Sequence, residues 1–467
     1  MSLRPESDAL VLFGATGDLA HKKIFPAVYA MQRDERAGMP IIGVASSDLT
    51  DDELRQRAHD AVVEAVGDDF DQALWDELAP RLSYVSGDYR EAGTYEMIAD
   101  RLKGVERPLY YLAIPPAMFN EVVQGLSGAG CTGSGARVVV EKPFGRDQAS
   151  AAELNDVLHR VFPEEAIFRI DHFLGKESVE DLMIFRFANS MLEPLWNRNY
   201  VTSVQVTMSE AFGVEGRGRF YESVGALRDV FENHLLQVVA LLAMDPPVSA
   251  DENALSDEKV RLWRQIRAID PAKIVRGQYR GYVDEPGVEP GSDVDTYVAL
   301  ELEIDSWRWA GVPWLVRTGK KLPVTATEAV VTFAAPPRLL FSRSGAAHPE
   351  PNRLRFRLGR NDGVTLHLQT KSPGDDLVSG PVDLEVSYGA LFPHRQQAYQ
   401  RLLEDAMEGD HRRFGRADGV EEQWRIVDEV LTGAPPVQLY RAGTWGPAGA
   451  ERLAAPVGGW VEPLAED

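Results

Sequence analysis

Cysteine is almost missing from this chain: Cys131 is the single one among 467 residues. That excludes an intramolecular disulfide framework and suits a reducing cytosol. Cys131 stands among Gly128, Gly130, Thr132 and Gly133 and reads as part of a loop before a strand. No basic neighbour in the sequence would lower its pKa, so a nucleophilic role is not expected. Positive charge is also scarce, with 49 Lys and Arg against 72 Asp and Glu, a formal charge of −23. A surface this acidic repels nucleic acid and anionic membranes, and both are excluded as partners. A small anionic substrate stays open, because distant exposed charge is screened within about 8 Å and a few local cations can rule a pocket. Long apolar runs are missing as well. The longest, Leu235 to Met244, contains Gln237 and falls short of the ~20 residues of a membrane span. The opening Met1-Ser2-Leu3-Arg4-Pro5-Glu6 lacks the apolar core of a leader peptide. The nine histidines show no metal-type spacing, so no metal site is expected. No internal repeat and no low-complexity segment is found. These absences predict a soluble, cytoplasmic protein.

What is present is ordinary globular composition, 44% hydrophobic and 26% charged. The length exceeds a single typical core and predicts two domains. In the first third, short apolar runs alternate with helical patterns. Ala9 to Phe13, Ile41 to Ala45, Leu82 to Ser86, Leu109 to Ile114, Arg137 to Val140 and Ile167 to Ile170 read as strands, with a helix from about His21 to Arg33. Uniformly apolar strands between helices indicate a doubly wound, parallel α/β sheet. After Asp171 the pattern changes. Lys176 to Asn189 and Val224 to Met244 read as helices. Thr202 to Met208, Thr296 to Ile304, Trp314 to Thr318, Ala329 to Phe333 and Thr365 to Leu368 read as strands of a mainly antiparallel sheet in an α+β domain. The boundary is drawn near residue 170, giving domains 1–170 and 171–467, and the stretch after Pro456 reads as loosely held.

The first strand runs into Gly14-Ala15-Thr16-Gly17-Asp18-Leu19-Ala20, and a helix follows. Glycines in such a turn let backbone approach a pyrophosphate, and the helix N-terminus offers N–H donors. Alone, G-x-x-G also fits a plain turn that needs positive φ; its place in the first strand–helix unit favours a dinucleotide. At the end of the second strand stand Ser46 and Ser47, with Thr50 close behind, able to hydrogen-bond either NAD or NADP. Neither the acid typical of NAD sites nor the arginine typical of NADP sites is at this spot. Glu141-Lys142-Pro143 follows a strand of valines and places Lys142 at its carboxyl end, where ligands bind in parallel sheets; this string also occurs in other nicotinamide-dependent sugar oxidoreductases. In Arg169-Ile170-Asp171-His172-Phe173-Leu174-Gly175-Lys176-Glu177, a strand closes and a helix opens. His172 and Lys176, four apart, are expected to share a face beside a helix N-terminus as a phosphate clamp.

That nine-residue string resembles the signature of the glucose-6-phosphate dehydrogenase family, and the resemblance covers nearly the whole chain. It continues in Gly14 to Ala20, Tyr111 to Pro116, Glu141 to Gly145, Arg186 to Asn189, Glu193 to Asn197, Gly225 to Asp229, Asn233 to Leu235, Arg317 to Lys320 and Tyr440 to Pro447. The resemblance implies a Rossmann-like first domain and a second domain that binds the sugar and dimerises. It implies oxidation of D-glucose 6-phosphate at C1 to the phosphogluconolactone, the first step of the pentose phosphate pathway. His234 would be the general base and Asp171 the carboxylate that orients it. His172 and Lys176 would hold the phosphate, Glu210 and Asp229 the sugar hydroxyls, and Lys142 and Lys320 would bracket the substrate. The dinucleotide would lie on Gly14, Ala15, Thr16, Gly17, Asp18, Leu19, Ser46 and Lys142, and the chain would form a homodimer or homotetramer.

Read without the family, His234 lies on an apolar stripe with Leu227, Val230, Phe231 and Val238 and fits a core histidine, while Asp229 and Glu210 fit surface acids. The chain departs from the family at two places that bear on ligands. Ser46 replaces the usual arginine for the 2′-phosphate, which predicts weakened preference for NADP and use of NAD. Phe173 replaces a common tyrosine at the phosphate. The competing readings are a catalytically silent sensor of sugar phosphate or nucleotide, and an oxidoreductase acting on another sugar.

Overall fold

The structure, a computed structural model, describes residues 6–337, 349–374, 378–392 and 395–466; residues 1–5 of the opening segment read above lie outside this range. Its strands are β1 (Ala9–Phe13), β2 (Ile41–Ala45), β3 (Leu82–Ser86), β4 (Pro108–Leu112), β5 (Arg137–Glu141), β6 (Ile167–Ile170), β7 (Val201–Ser209), β8 (Ile274–Tyr279), β9 (Tyr297–Leu302), β10 (Trp314–Gly319), β11 (Ala326–Phe333), β12 (Arg353–Arg357), β13 (Gly363–Lys371), β14 (Ser379–Ser387), β15 (Phe414–Gly415) and β16 (Gln438–Tyr440). They form two sheets, and the chain separates into two compact units. One gathers Met1–Lys176 with Pro247–Asp257 and Gln396–Glu421; the other holds Glu177–Pro246, Glu258–Arg395 and Glu422–Asp467.

The sheet of the first unit has the order β15-β6-β5-β4-β1-β2-β3, parallel except where β15 pairs antiparallel with β6. Strands β1, β2 and β4 are buried at every residue, as a sheet covered on both faces requires. The helix Ala398–Glu408 buries Leu402, Leu403, Ala406 and Met407 in the same core as Leu10, Leu12 and Phe168. A segment from far along the chain thus completes the first unit. Cys131 follows the helix Phe119–Gly128 in a loop, its carbonyl accepting the Tyr110 hydroxyl at 2.6 Å, and burial pushes its thiol pKa up. An inert thiol agrees with the sequence reading.

The sheet of the second unit has the order β14-β13-β12-β11-β7-β10-β9-β8-β16. It is mainly antiparallel; only β7 with β10 and β8 with β16 run parallel. The stretch after Pro456 is pinned, contrary to the sequence expectation. Gln205 donates to the Gly459 carbonyl at 3.0 Å and accepts from the Val461 N–H at 2.8 Å. The Arg317 guanidinium lies 4.5 Å from the Trp460 ring and 4.6 Å from that of Trp445. Tertiary partners hold a tail whose own composition offers no regular structure.

The segment expected as one helix from Val224 to Met244 is built in three pieces. A helix Gly218–Ala226 breaks at Gly225, where φ is 66° and ψ 178°. A wider π-helical segment, Leu227–Leu235, follows and continues as the α-helix Leu236–Ala243. Asp295 caps the restart, accepting from the Ala226 N–H at 2.8 Å through its carbonyl and from the Leu227 N–H at 3.0 Å through its carboxylate. At the far end, four successive carbonyls find side-chain donors. Arg186 donates to Leu241 and Met244 at 2.6 and 2.8 Å, Trp196 to Leu242 and Trp309 to Ala243, both at 2.7 Å. These are the carbonyls a helix end leaves without partners, and here they are buried. Replacing Arg186 with Met should therefore lower unfolding stability by about 2–4 kcal/mol, read in a urea titration, because two buried carbonyls lose their donor. A loss under about 0.5 kcal/mol would mean that other groups satisfy them.

Candidate functional site

Unit by unit, the sequence-predicted residues fall into two sets. Gly14 to Leu19, Ser46, Lys142, Asp171, His172 and Lys176 belong to the first; Glu210, Asp229, His234 and Lys320 belong to the second.

In the first unit, β1 ends in a tight turn. Gly14 adopts φ 79°, and a Cβ there would stand 2.2 Å from the Ala113 carbonyl oxygen. Its N–H donates to the Val44 carbonyl at 2.9 Å, and the Gly17 N–H to the Gly14 carbonyl at 2.9 Å. A one-turn π-helical segment, Ala20–Ile24, leads into the helix Phe25–Arg33. Ser46 and Ser47 are exposed at the end of β2, and the Ser47 hydroxyl donates to Thr16 Oγ1 at 3.3 Å. Thr50 is engaged by its own helix. Its hydroxyl accepts from the Glu53 N–H and donates to the Glu53 carboxylate, capping the helix Asp51–Val66.

Glu141 ends β5 and pairs in the sheet with Ile170, the last residue of β6. Glu141 accepts a 2.6 Å hydrogen bond from the Tyr111 hydroxyl and a second from Tyr399, and the charges of Lys142 and Asp171 act on it. Burial is the main cause that pushes its carboxyl up to about 7. Sequence reading passed over Glu141, since a strand-end glutamate carries no sign of a buried partner. Its proton gives a pH prediction. The unfolded chain releases it near 4.5, the ordinary value of a glutamate, and the folded chain near 7, so stability should fall as pH rises between these values. At about 1.4 kcal/mol per pKa unit the fall is roughly 3 kcal/mol. Glu141→Gln, neutral at all pH, should flatten it; Tm profiles of both proteins from pH 5 to 8 check this, and parallel profiles would remove Glu141 as the cause.

Asp171 is buried and its carboxylate accepts from the Phe173 N–H at 2.9 Å. The turn this starts carries the chain through residues 172–175, and the helix begins only at Glu177. His172 and Lys176 thus do not share a helical face as the spacing predicts. The Asp171 turn competes with helix, and Gly175 lies so close to the helix Ala398–Glu408 that a Cβ would come within 2.7 Å of the Ala398 carbonyl oxygen. The His172 ring stacks parallel to Tyr399, 6.3 Å between centroids, and the Lys176 ammonium sits 3.8 Å from the Phe173 ring centroid. The phenylalanine in place of tyrosine keeps a face on which the lysine rests. Arg169 of the same motif is buried against Glu164, at 2.7 Å, and Asn155, and serves as an anchor.

In the second unit, β7 and β10 run parallel with Ser209 opposite Gly319, so Glu210 and Lys320 leave the sheet side by side and form an ion pair. The Lys320 backbone is held by its N–H to the Thr296 carbonyl at 3.0 Å and by the Tyr440 hydroxyl donating to its carbonyl at 2.6 Å. Its ammonium lies 5.0 Å from the buried Tyr221 ring and 5.3 Å from Phe212. Burial, and then the charges of Asp229, Asp295 and Glu210, hold the Tyr221 phenol well above its ordinary pKa. Tyr221 therefore marks where Glu210, Asp229 and Lys320 gather. Sequence reasoning missed it, because a tyrosine at helical spacing reads as core. His234 is 3% exposed on the π-helical segment, its N–H donating to the Asn233 side chain at 2.6 Å. Such wide turns recur at functional positions.

Comparison with known proteins gives a consistent result. Residues 11–181 match the family model described as glucose-6-phosphate dehydrogenase, NAD binding domain, and residues 183–460 the one described as glucose-6-phosphate dehydrogenase, C-terminal domain. Glucose-6-phosphate 1-dehydrogenase 1 of Mycobacterium tuberculosis is 43% identical over 459 residues, which span 98% of this chain and 97% of that protein. The crystal structure of glucose-6-phosphate 1-dehydrogenase from Mycobacterium avium superposes with a TM-score of 0.89 at 45% identity, covering 98% of this chain and all of that one. A glucose-6-phosphate dehydrogenase solved in complex with its substrate glucose-6-phosphate gives 0.88 at 34% identity, with 99% of this chain and 100% of that one covered.

Proposed function

The chain belongs to the glucose-6-phosphate dehydrogenase family, and from that premise we infer that it oxidises D-glucose 6-phosphate at C1 to 6-phospho-D-glucono-1,5-lactone, the first step of the pentose phosphate pathway. The reading is carried by whole-length similarity to enzymes of that name, one of them solved with the sugar phosphate bound. Hydride leaves C1 for the nicotinamide of NADP or NAD, which serves as the electron-pair acceptor. His234 takes the proton of the C1 hydroxyl as the C1–O double bond forms, and Asp171 orients its imidazole. The sugar 6-phosphate binds His172 and Lys176, the hydroxyls bind Glu210 and Asp229, and Lys142 and Lys320 bracket the ring.

The turn Gly14 to Leu19 suits a dinucleotide, since it follows the first strand of a parallel sheet and its Gly14 takes the positive φ of 79° that such a tight turn needs. The chain works as a homodimer or homotetramer. Supporting this, Val382, Leu384 and Val386 alternate along the edge strand β14 with 39%, 55% and 43% exposure, an apolar row of the kind that a second copy covers. No helix among the described residues is long and apolar enough to cross a membrane.

Initial rates of nicotinamide reduction with glucose 6-phosphate, run with NADP and NAD side by side, test the reading. Turnover with either supports it. No turnover with both, alongside retained binding of the sugar phosphate, would leave the silent sensor; turnover only with unphosphorylated sugar would assign another substrate.

A further inference from the structure

Ser46 leaves the end of β2 without a cation, yet a guanidinium stands there. The helix Asp51–Val66 starts at Thr50, whose capping of Glu53 sets its register and turns Leu54, Ala58, Ala61 and Val62 inward. Leu54 packs over Gly43 of β2, where a Cβ would come within 2.8 Å of Leu54 and 2.9 Å of the Ala15 side chain. This glycine lets the helix approach the nucleotide turn closely. Arg57, one turn beyond Leu54, reaches that turn and donates from Nη2 to the Thr16 carbonyl at 2.6 Å. The Thr16 and Ser47 hydroxyls are bonded to each other at the same place, 3.3 Å apart. One guanidinium and two hydroxyls thus converge between the β1 turn and the end of β2, where the adenine ribose lies in folds of this type.

The neighbouring acids do not neutralise the guanidinium. Lys22 takes Asp18 at 3.2 Å, His21 takes Glu64 at 3.0 Å, Arg55 takes Asp52 at 2.7 Å and Gln56 takes Asp60 at 2.8 Å. Among the described residues no carboxylate lies within ion-pair distance of Arg57. Four of its five N–H donors remain once Nη2 has met Thr16 with one, enough for a bidentate contact to a phosphate.

We propose that Arg57, supplied by the helix after β2 and not by position 46, is the cation that binds the 2′-phosphate of the dinucleotide, so that the site discriminates NADP from NAD. This rests on the dinucleotide reading above and revises the expectation drawn from Ser46. A charge-assisted contact of this kind corresponds to about 10- to 100-fold in affinity, weaker at high salt because Arg57 is exposed.

The test is titration of the full chain with two probes, adenosine 2′,5′-bisphosphate and adenosine 5′-monophosphate, in wild type, Arg57→Ala and Arg57→Lys. The expected result is a 10- to 100-fold weaker bisphosphate Kd in Arg57→Ala, partial recovery in Arg57→Lys, and a monophosphate Kd that stays within about twofold. Equal weakening of both probes, or of neither, overturns the proposal; a Tm comparison assigns equal weakening to damaged folding. If Arg57-dependent bisphosphate binding is found in a protein that does not oxidise glucose 6-phosphate, the functional reading fails and this one stands. If turnover is found and the NADP-to-NAD ratio is unmoved in Arg57→Ala, the reverse holds.

Discussion

Asparagine at position 234 is expected to lower kcat with glucose 6-phosphate by about a thousandfold, within the 10²–10⁴ that a positioned general base contributes. Two readings of this histidine compete, and they predict different losses. His234 is 3% exposed among Phe231, Leu235 and Val238, as a core histidine would be. It also sits on a π-helical segment that follows the break at Gly225, a costly local structure for a residue with no task. The backbone beside the imidazole has a partner of its own. The His234 backbone N–H bonds the Asn233 side chain, which in turn donates to the Arg228 carbonyl at 3.1 Å. Asparagine should thus keep the fold and lose the base. The measurement is kcat together with the dissociation constant of the sugar phosphate and Tm. A collapse of kcat with Tm and sugar-phosphate binding near wild type supports the base. Normal kcat with a large drop in Tm would return His234 to the core.

The second large effect is expected at Gly14. Alanine there puts Cβ 2.2 Å from a backbone oxygen, that of Ala113, at φ 79°. Neither defect has a cheap escape. A backbone carbonyl just past the end of the neighbouring strand β4 cannot rotate aside as a side chain does, and the left-handed region costs an L-residue roughly 1–2 kcal/mol by itself. Gly14→Ala should therefore destabilise the chain by about 3 kcal/mol or more, and the turn that presents Thr16 and Gly17 should open. Dinucleotide affinity then falls with stability. Gly38→Ala is the control, because a Cβ at Gly38 meets nothing within 4 Å. Unfolding titrations and NADP binding on both variants check this. Equal behaviour of the two would mean that the turn adapts more freely than its packing allows.

Much of the first unit was legible in the sequence. Strands such as Ala9–Phe13 and Ile41–Ala45 are apolar throughout because both faces of a parallel sheet are covered, and that signal survives without tertiary information. The helix Glu177–Ala188 and strands β7, β9 and β10 were also legible to within two residues at each end. The failures share a cause. The face that His172 and Lys176 were expected to share by helical spacing is replaced by a turn over residues 172–175, because the Asp171 carboxylate and the packing of Gly175 override a spacing argument. The tail after Pro456 is ordered because Gln205 and Arg317 come to it from elsewhere. Helix Ala398–Glu408 and strand β15 join the first unit although the chain leaves that unit before them.

The sequence by itself determined the two sheet types, the glycine turn, the family and most of the residues proposed to bind ligands, since all of these lie in local patterns of spacing and polarity. Only the tertiary structure decided that Glu141 meets two tyrosines, that Glu210 and Lys320 gather about Tyr221, and that Arg57 reaches Thr16. Each of these unites residues tens to hundreds of positions apart through strand pairing or helix packing. A one-dimensional pattern cannot carry such contacts, because the strength of a carboxylate, a tyrosine or a guanidinium depends on what burial and distance place beside it.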